Sequence, residues 1–183
     1  MIAIMPPELL DVLRALPNRI EAIARRSLVF RRGESASALY LVEHGELCLQ
    51  RDGVDGNPLV LQRARDGHLL AEASLHASHY HCDAVATVPT RARRIERGAV
   101  LERFRGDAHF AELWCRGLSE EVRDRRLHNE LLRLRTVRER LDAWLHWQGG
   151  ALPPHGARQG LAHELGVSPE ALYRELARRD RTS

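Results

Sequence analysis

The sequence has no lysine, few aromatic residues and no long apolar run. All 28 of its basic residues are arginine, and 25 acidic residues leave a net charge of only +3. That charge permits binding to nucleic acid without requiring it, and the absence of lysine by itself says little about function. No segment approaches the roughly 20 apolar residues that a membrane span needs, so we expect no membrane partner.

Cysteine is also scarce. Cys48, Cys82 and Cys115 form an odd, widely spaced set, which argues against a disulfide framework and suits a reducing compartment. Three scattered thiols are also too few for a four-cysteine iron–sulfur cluster. The first residues, "MIAIMPPELL", are too short and lack the basic flank of a signal peptide, so we expect a cytoplasmic protein.

The first half of the chain has the pattern of short strands. Between residues 27 and 95, apolar runs alternate with turn signals such as "DGVDGN" at 52–57. The runs are "SLVF", "LYLVE", "ELCLQ", "PLVLQ", "HLL", "AVATV" and "ARRI". This pattern predicts a β-roll. Ahead of it, "PPELLDVLRAL" and "NRIEAIARR" predict two short helices, the first with Pro7 near its start.

After Gly106 the apolar period becomes that of a helix about 28 residues long. Residues at three- and four-residue steps form one narrow face: Phe110, Leu113, Trp114, Gly117, Leu118, Glu121, Val122, Arg125, His128, Leu131 and Leu132. A helix of this length with a narrow apolar stripe typically pairs with a partner helix, which predicts a homodimer. The alternative is a helix that folds along the roll within one monomer.

The last 48 residues predict three further helices. Thr136 and Glu139 have the spacing of a capping box, so a helix begins there and ends before Gly149 and Gly150. A short helix in "RQGLAHELG" ends at Gly166. The final helix, in "VSPEALYRELARR", has Ser168 as its N-cap and Pro169 in its first turn.

The segment "LAHELGVSPEALYREL" is a helix, a turn and a second helix. Its exposed side predicts DNA contacts from Ser168, Pro169, Glu170, Tyr173, Arg174 and Arg178. Arg174 can donate two hydrogen bonds to a guanine, and Glu170 can accept one from a cytosine amino group. Each such contact favours the correct base over a wrong one by about 1–3 kcal/mol. Helical hairpins with charged outer faces also occur in proteins that bind no DNA, so the pattern alone leaves both interpretations open.

The succession "VFRRGESASALYLVEHGELCLQR", a long helix, "RERLDAWL" and "LAHELGVSPEALYREL" resembles the cyclic-AMP receptor protein and FNR superfamily of bacterial transcription regulators. The resemblance covers nearly the whole chain and implies an α+β protein. Its parts would be an effector-sensing, cyclic-nucleotide-binding-type β-roll (a double-stranded jelly roll) at 1–106, a dimerisation helix at 107–135 and a helix-turn-helix at 136–183.

The same resemblance implies double-stranded DNA, a second copy of the chain and RNA polymerase as partners. The family's recognition helix carries a Glu and an Arg four residues apart, and Glu170 and Arg174 occupy those places. A further family arginine falls on Pro169. The family continues into a β-hairpin wing, whereas this sequence stops at "RRDRTS", so we expect most of the wing to be absent.

Cyclic-nucleotide-binding members hold the ribose with a Gly-Glu stretch and the cyclic phosphate with an Arg-Ser pair about ten residues later. Here "LLAEASL" has Glu72 in the ribose place but Ala71 instead of glycine, and Cys82 and Asp83 replace Arg and Ser. A carboxylate beside the phosphate would repel it. We therefore expect an effector other than cyclic AMP, in a pocket lined by Glu72, Ala73, Ser74, Cys82 and Asp83.

The stretch "HYHCDAVAT" at 79–87 is rich in metal-binding side chains. Together with an upstream histidine it offers His76, His79, His81 and Cys82 as ligands for a metal ion or haem, at a position that resembles the Cys and His of haem-binding members. Strand alternation would turn Tyr80, Cys82, Ala84 and Ala86 inward and His79, His81 and Asp83 outward. The alternatives are an inert Cys82 with solvated histidines, a metal or haem site, a redox-sensitive thiol, which would need a lowered pKa, and a site for an unknown small ligand.

Two functions follow from these patterns. The first is a homodimeric DNA-binding regulator that senses a signal through the roll. The second is a metal- or haem-binding sensor or interaction module without independent sequence-specific DNA binding. No Ser-His-Asp order, phosphate-binding glycine loop or paired carboxylates point to an enzyme.

Overall fold

The computed structural model describes residues 5–53 and 58–180, so most of the predicted turn at 52–57 lies outside the described residues. The helices are α1 (Pro7–Ala15), α2 (Arg97–Gly106), α3 (Ala108–Arg133), α4 (Val137–Trp147), α5 (Arg158–Glu164) and α6 (Pro169–Asp180). The strands are β1 (Asn18–Ile23), β2 (Leu28–Phe30), β3 (Ala38–His44), β4 (Leu47–Asp52), β5 (Pro58–Ala64), β6 (Leu69–Leu70), β7 (Asp83–Ala86) and β8 (Thr90–Glu96). Among these helices, none combines the length and the apolar character that crossing a bilayer requires.

The chain divides into two compact units within α3, one ending at Glu121 and the other beginning at Val122. The sequence instead places domain boundaries at the two ends of this helix, and those boundaries stay a prediction. The helix itself spans 26 residues, close to the predicted length.

The first unit contains two four-stranded antiparallel sheets, in the orders β1-β8-β3-β6 and β2-β7-β4-β5. Each of the seven apolar runs forms one of these strands, which confirms the expected β-roll. Side chains that alternate inward from both sheets make a shared core, since successive residues of a strand point to opposite faces. Its larger members are Phe30, Tyr40, Val42, Leu47, Leu49, Leu70 and Tyr80.

A second core lies where helices cover the other face of β3. Leu39 and Leu41 of that strand pack with α1 and with the start of α3. A Cβ atom on Gly117 would lie 2.6 Å from the sulfur of Met5. The absence of a side chain at that position therefore allows the segment before α1 to lie directly against α3.

One expectation for this unit is wrong, and one of its helices was not predicted. The segment "NRIEAIARR" does not form a helix, because its residues Asn18–Ile23 pair with β8 along their whole length, from Asn18 opposite Ile95 to Ile23 opposite Thr90. The helix α2 was not predicted either. Of its ten residues only Val100 is buried, so its sequence carries almost no apolar periodicity.

The second unit packs the end of α3 with α4, α5 and α6 around one apolar core. Its buried members are Leu131, Leu141, Leu161, Ala162, Leu165, Leu172 and Leu176. The capping box at the start of α4 is confirmed: Thr136 Oγ1 accepts from the amide of Glu139, whose carboxylate accepts from the amide of Thr136. Ser168 caps α6 as predicted, through a 3.2 Å hydrogen bond from the amide of Ala171.

Candidate functional site

Glu170 and Arg174 lie one turn apart on α6, and both side chains are exposed. The opposite side of the helix is fixed by Leu172 and Leu176, which are buried in the core of the second unit. Hydrogen bonds from its own amide and from the Ser168 hydroxyl, with a further contribution from Arg174, lower the pKa of Glu170. The carboxylate is therefore charged at neutral pH and can act only as an acceptor.

The other predicted DNA contacts differ in accessibility. Ser168 is exposed, whereas Pro169 is half-buried. Tyr173 is also half-buried, and its ring lies 5.6 Å from the ring of His155, centroid to centroid. Arg178 is exposed but donates two hydrogen bonds to Glu175. Of the predicted contacts on the outer surface of α6, Glu170 and Arg174 are therefore exposed and not engaged by Glu175, and Tyr173 packs at the edge.

Ion pairs that the sequence did not predict hold α6 in place. Glu175 is buried and accepts from Arg178 and Arg179. Arg179 also forms an ion pair with Asp142 of α4 at 2.8 Å and donates to the carbonyl of Arg138. The four-residue spacing of Glu175 and Arg179 was the available signal, because such pairs meet on a helix surface.

Arg140 of α4 is a further residue that was not predicted from the sequence. Its guanidinium donates to four backbone carbonyls, those of Leu132, Leu134, Leu165 and Gly166, at 2.9–3.1 Å. Two of these carbonyls lie at the end of α3 and two in the turn between α5 and α6. No pattern in the single sequence distinguishes this arginine from its many neighbours.

The predicted effector pocket begins at Ala71, which adopts a left-handed backbone conformation with φ +70°. Glycine adopts this conformation without strain, and glycine is the residue that the resemblance places here. A short 3-10 helix, Glu72–Ser74, follows, in which Glu72 and Ser74 are buried. Ala73 between them is exposed, so its side chain does not face the interior of the roll with the others.

Cys82 is buried in the core of the roll, as strand alternation predicts. Tyr80, Ala84 and Ala86 are buried with it, whereas His79 and His81 are exposed. Burial raises the pKa of the Cys82 thiol, and the nearby Asp83 and Glu72 carboxylates raise it further against the opposing effect of Arg51. The thiol is therefore protonated at neutral pH, which does not favour its use as a redox sensor.

Aromatic rings fill the roll beside Cys82. The rings of Phe30 and Tyr80 stack with centroids 3.7 Å apart, and Tyr40 lies 5.7 Å from Phe30. The Tyr80 hydroxyl donates to the carbonyl of Ala38 and accepts from the amide of the same residue. Asp83, which would face a bound phosphate, instead accepts at 2.7 Å from the amide of Arg32.

The histidines of the predicted metal site point to different neighbours. The ring of His76 meets that of Phe104 edge-on at 6.0 Å, and Nδ1 of His79 lies 2.8 Å from the Ser78 hydroxyl. Across residues 5–53 and 58–180, no three His, Cys, Asp or Glu side chains come close enough together to hold a metal ion. The metal and haem interpretation of His76, His79, His81 and Cys82 gains no support from this arrangement.

The chain is similar to several proteins of known structure. FixK2 from Bradyrhizobium japonicum is 20% identical, with a TM-score of 0.67 over 91% of this chain and 86% of that one. The sensor domain of the transcriptional regulator DNR from Pseudomonas aeruginosa is 25% identical, with a TM-score of 0.54 over 73% and 86%. The Catabolite Activator Protein of Thermus thermophilus is 23% identical, with a TM-score of 0.55 over 97% and 85%.

A comparison of the sequence with curated proteins found no match. The profile of the cyclic nucleotide-binding domain, by contrast, matches residues 20–107, which include all eight strands except the first two residues of β1. Residues 20–107 therefore match the cyclic nucleotide-binding domain family, and the solved structures show that the chain shares their fold, in agreement with its resemblance to the cyclic-AMP receptor protein and FNR superfamily.

Proposed function

We propose that this chain is a homodimeric transcription regulator, which reads a near-palindromic DNA operator with α6 and receives its signal through the β-roll. The observation that carries the proposal is the exposure of Glu170 and Arg174 on one side of a helix whose other side is buried. DNR is named a transcriptional regulator and the Thermus protein a catabolite activator, which supports the same function here.

The chemistry of the two side chains suits base recognition. The Arg174 guanidinium matches the O6 and N7 atoms of guanine, and the charged Glu170 accepts from the amino group of cytosine. Since α5 and α6 are joined by a tight turn at Gly166, they have the form of a helix-turn-helix, in which the second helix enters the major groove. RNA polymerase stays a proposed partner on the resemblance alone.

The proposal of a homodimer rests on the second part of α3. Between Val122 and Arg133 only Leu131 is buried, and Val122, Leu127 and Leu132 are exposed by 38–47%. We propose that Val122 and its neighbours meet the same face of a second copy. A twofold axis would then place two recognition helices about 34 Å apart, one helical turn of DNA.

The proposed effector is not cyclic AMP. Cys82 and Asp83 stand where the nucleotide-binding members carry the residues that neutralise the phosphate, and the Asp83 carboxylate opposes an anion there. The aromatic stack of Phe30 and Tyr80 is apolar. A signal that enters this roll would therefore come from an uncharged ligand, or the protein binds DNA without one.

DNA binding is tested by selecting sequences from a random double-stranded pool with the purified protein at about 0.15 M salt, then measuring gel retardation of the selected site. We expect a palindromic consensus, and Arg174→Ala should weaken binding by about tenfold or more and relax the preference at one base pair of each half-site. Arg19→Ala removes an equal charge from an exposed arginine of β1 and should leave the preference unchanged. The proposal would be contradicted if the protein bound all DNA sequences equally well, or if Arg174→Ala bound the selected site as tightly as wild type.

A further inference from the structure

We infer that Arg140 is a positioning residue that locks the turn before the recognition helix to the end of α3. This inference rests on the proposed function. The Arg140 Nε donates to the carbonyl of Leu134 at 2.9 Å and Nη2 to that of Leu132 at 3.1 Å. Its Nη1 donates to the carbonyls of Leu165 at 2.9 Å and Gly166 at 3.1 Å. One planar group thus joins two helix ends that are distant in sequence.

The acceptors explain why an arginine suits this place. The last carbonyls of a helix have no partner within the helix and carry the negative end of its dipole, so a cation beside them is stabilising. The helix α3 ends at Arg133 and α5 at Glu164, and the four carbonyls follow or immediately precede these ends. A lysine ammonium has the charge but lacks the fixed fork that reaches both ends together.

Gly166 provides an independent observation at the same place. Its φ is +62°, and a Cβ atom there would lie 2.7 Å from Cδ2 of Leu132 and 3.3 Å from Nη1 of Arg140. The backbone of the turn therefore lies against the Leu132 side chain in the last turn of α3, and a Cβ atom there would displace the end of that side chain and strain the backbone. Leu131 of α3 and Leu165 of the turn belong to the same buried cluster.

The direction of the recognition helix follows from this joint. The helix α6 begins at Pro169, three residues after Gly166, so Glu170 and Arg174 are oriented relative to the last turn of α3. In a dimer that pairs through α3, the joint would set the distance and angle between the two recognition helices. Arg140 therefore affects which spacing of half-sites the dimer accepts, although it contacts no DNA itself.

The test compares Arg140→Lys with wild type on the selected palindrome and on versions with one or two base pairs added or removed at its centre. We expect the preference for the native spacing to fall by about tenfold or more. Arg138→Lys is the matched control, because that side chain lies on the same helix and is 67% exposed; it should keep the wild-type preference. A variant that is only less stable loses affinity for all spacings in proportion, so an unchanged ratio between spacings overturns the inference.

Gly166→Ala is a second variant, which keeps the Arg140 guanidinium but adds a Cβ atom where Gly166 meets Leu132 and Arg140. It replaces Arg140→Lys in the test if that variant does not fold. It should reduce the spacing preference in the same way, and a wild-type preference in Gly166→Ala would overturn the inference. Failure of the wild-type chain to select DNA would instead contradict the proposed function.

Hydrogen exchange then tests the joint without DNA. In Arg140→Lys the amides of Leu134 and Gly166, which bond within the two helix ends, should exchange faster together, while that of Ala86 in β7 should not change. If both amides of Arg140→Lys exchange at the wild-type rate, Arg140 does not hold the two helix ends together, and the inference is wrong whether or not the protein binds DNA.

Discussion

Cys82 illustrates how its surroundings decide the chemistry of a residue. The inward direction of its side chain could be predicted from the alternation along "HYHCDAVAT", and the burial of Cys82 confirms that prediction. The pKa of the thiol could not be predicted in this way, because it depends on burial and on charges from other segments, Arg51 and Glu72, as well as on the neighbouring Asp83. Burial and these charges keep it protonated, which favours the interpretation of Cys82 as part of the core.

Thiol labelling tests this interpretation. In a Cys115→Ser variant, which removes the exposed cysteine, we expect Cys48 and Cys82 to react with an aromatic disulfide reagent only when denaturant unfolds the protein. Burial raises the pKa of both thiols, so little thiolate forms at neutral pH and access is blocked as well. The rate is followed by absorbance in native buffer and in denaturant. Rapid modification of Cys82 in native buffer would support the redox-sensitive alternative.

Glu46 is a second residue whose neighbours come from distant strands. Its carboxylate accepts from Arg63, Arg65 and Thr87, each at 2.7 Å. Burial alone would raise the pKa of Glu46, but these hydrogen bonds outweigh it and hold the pKa below its ordinary value of 4.5. The charged carboxylate therefore links the turn before β4 to the end of β5 and to the turn before β8.

Replacement of this carboxylate should make stability less dependent on pH. At about pH 7 we expect Glu46→Gln to lower the free energy of unfolding by roughly 2 kcal/mol, since charge-assisted hydrogen bonds are lost. A lowered pKa contributes stability above the unfolded value and loses it as pH falls through the folded one. The difference between the two proteins should therefore shrink below about pH 4.5. Urea denaturation across this range measures it.

The control for this prediction is Glu102→Gln, at an exposed position of α2. Surface substitutions of this kind typically change stability by less than about 0.5 kcal/mol. A difference between wild type and Glu46→Gln that stays constant down to about pH 3 would show that the carboxylate contributes through packing and not through its charge.

At the scale of elements, capping signals in the sequence predicted the starts of α4 and α6 correctly. Both depend on residues three apart, whose contact is fixed by helix geometry itself. The strand β1 shows the opposite case. The order of charged and apolar residues from Asn18 to Ile23 is compatible with either a helix or a strand. The segment forms a strand because it pairs with β8, which lies more than 60 residues later in the chain.

The capping box of α4 can be tested directly. Thr136→Ala removes the hydroxyl that accepts from the amide of Glu139 at 3.1 Å, and we expect a loss of about 1 kcal/mol in the free energy of unfolding. Thr136→Ser keeps the oxygen and should lie close to wild type. Chemical denaturation followed by far-UV circular dichroism compares the three. Equal stability of the Ala and Ser variants would mean that the cap contributes nothing.

At the scale of the whole molecule, the long helix carries the proposal of a dimer. Its periodicity predicts a narrow apolar face, and Val122 of that face is 47% exposed. One copy of the chain thus leaves apolar surface uncovered along the second part of α3. Covering Val122 and the apolar residues on its face removes apolar area from water, which favours association.

An introduced charge should weaken that association. Val122→Arg would place like charges near the twofold axis of the proposed dimer, and we expect the dissociation constant to rise by about tenfold or more. Sedimentation velocity over a range of concentrations measures the change. Leu59→Arg is the control, because Leu59 is 58% exposed on β5. A wild-type chain that is monomeric at all concentrations would contradict both the dimer and the palindromic operator.

The sequence by itself determined the strands β2 to β8 of the roll, the approximate length of α3, both N-caps and the outward placement of Glu170 and Arg174. Each of these depends on residues close together in the chain, whose geometry is set by the period of a helix or a strand. Only the tertiary structure decided that Asp83 binds the amide of Arg32, 51 residues away, and that Arg140 reaches Gly166, 26 residues away. Such contacts form when packing brings distant segments together, and no local pattern records them.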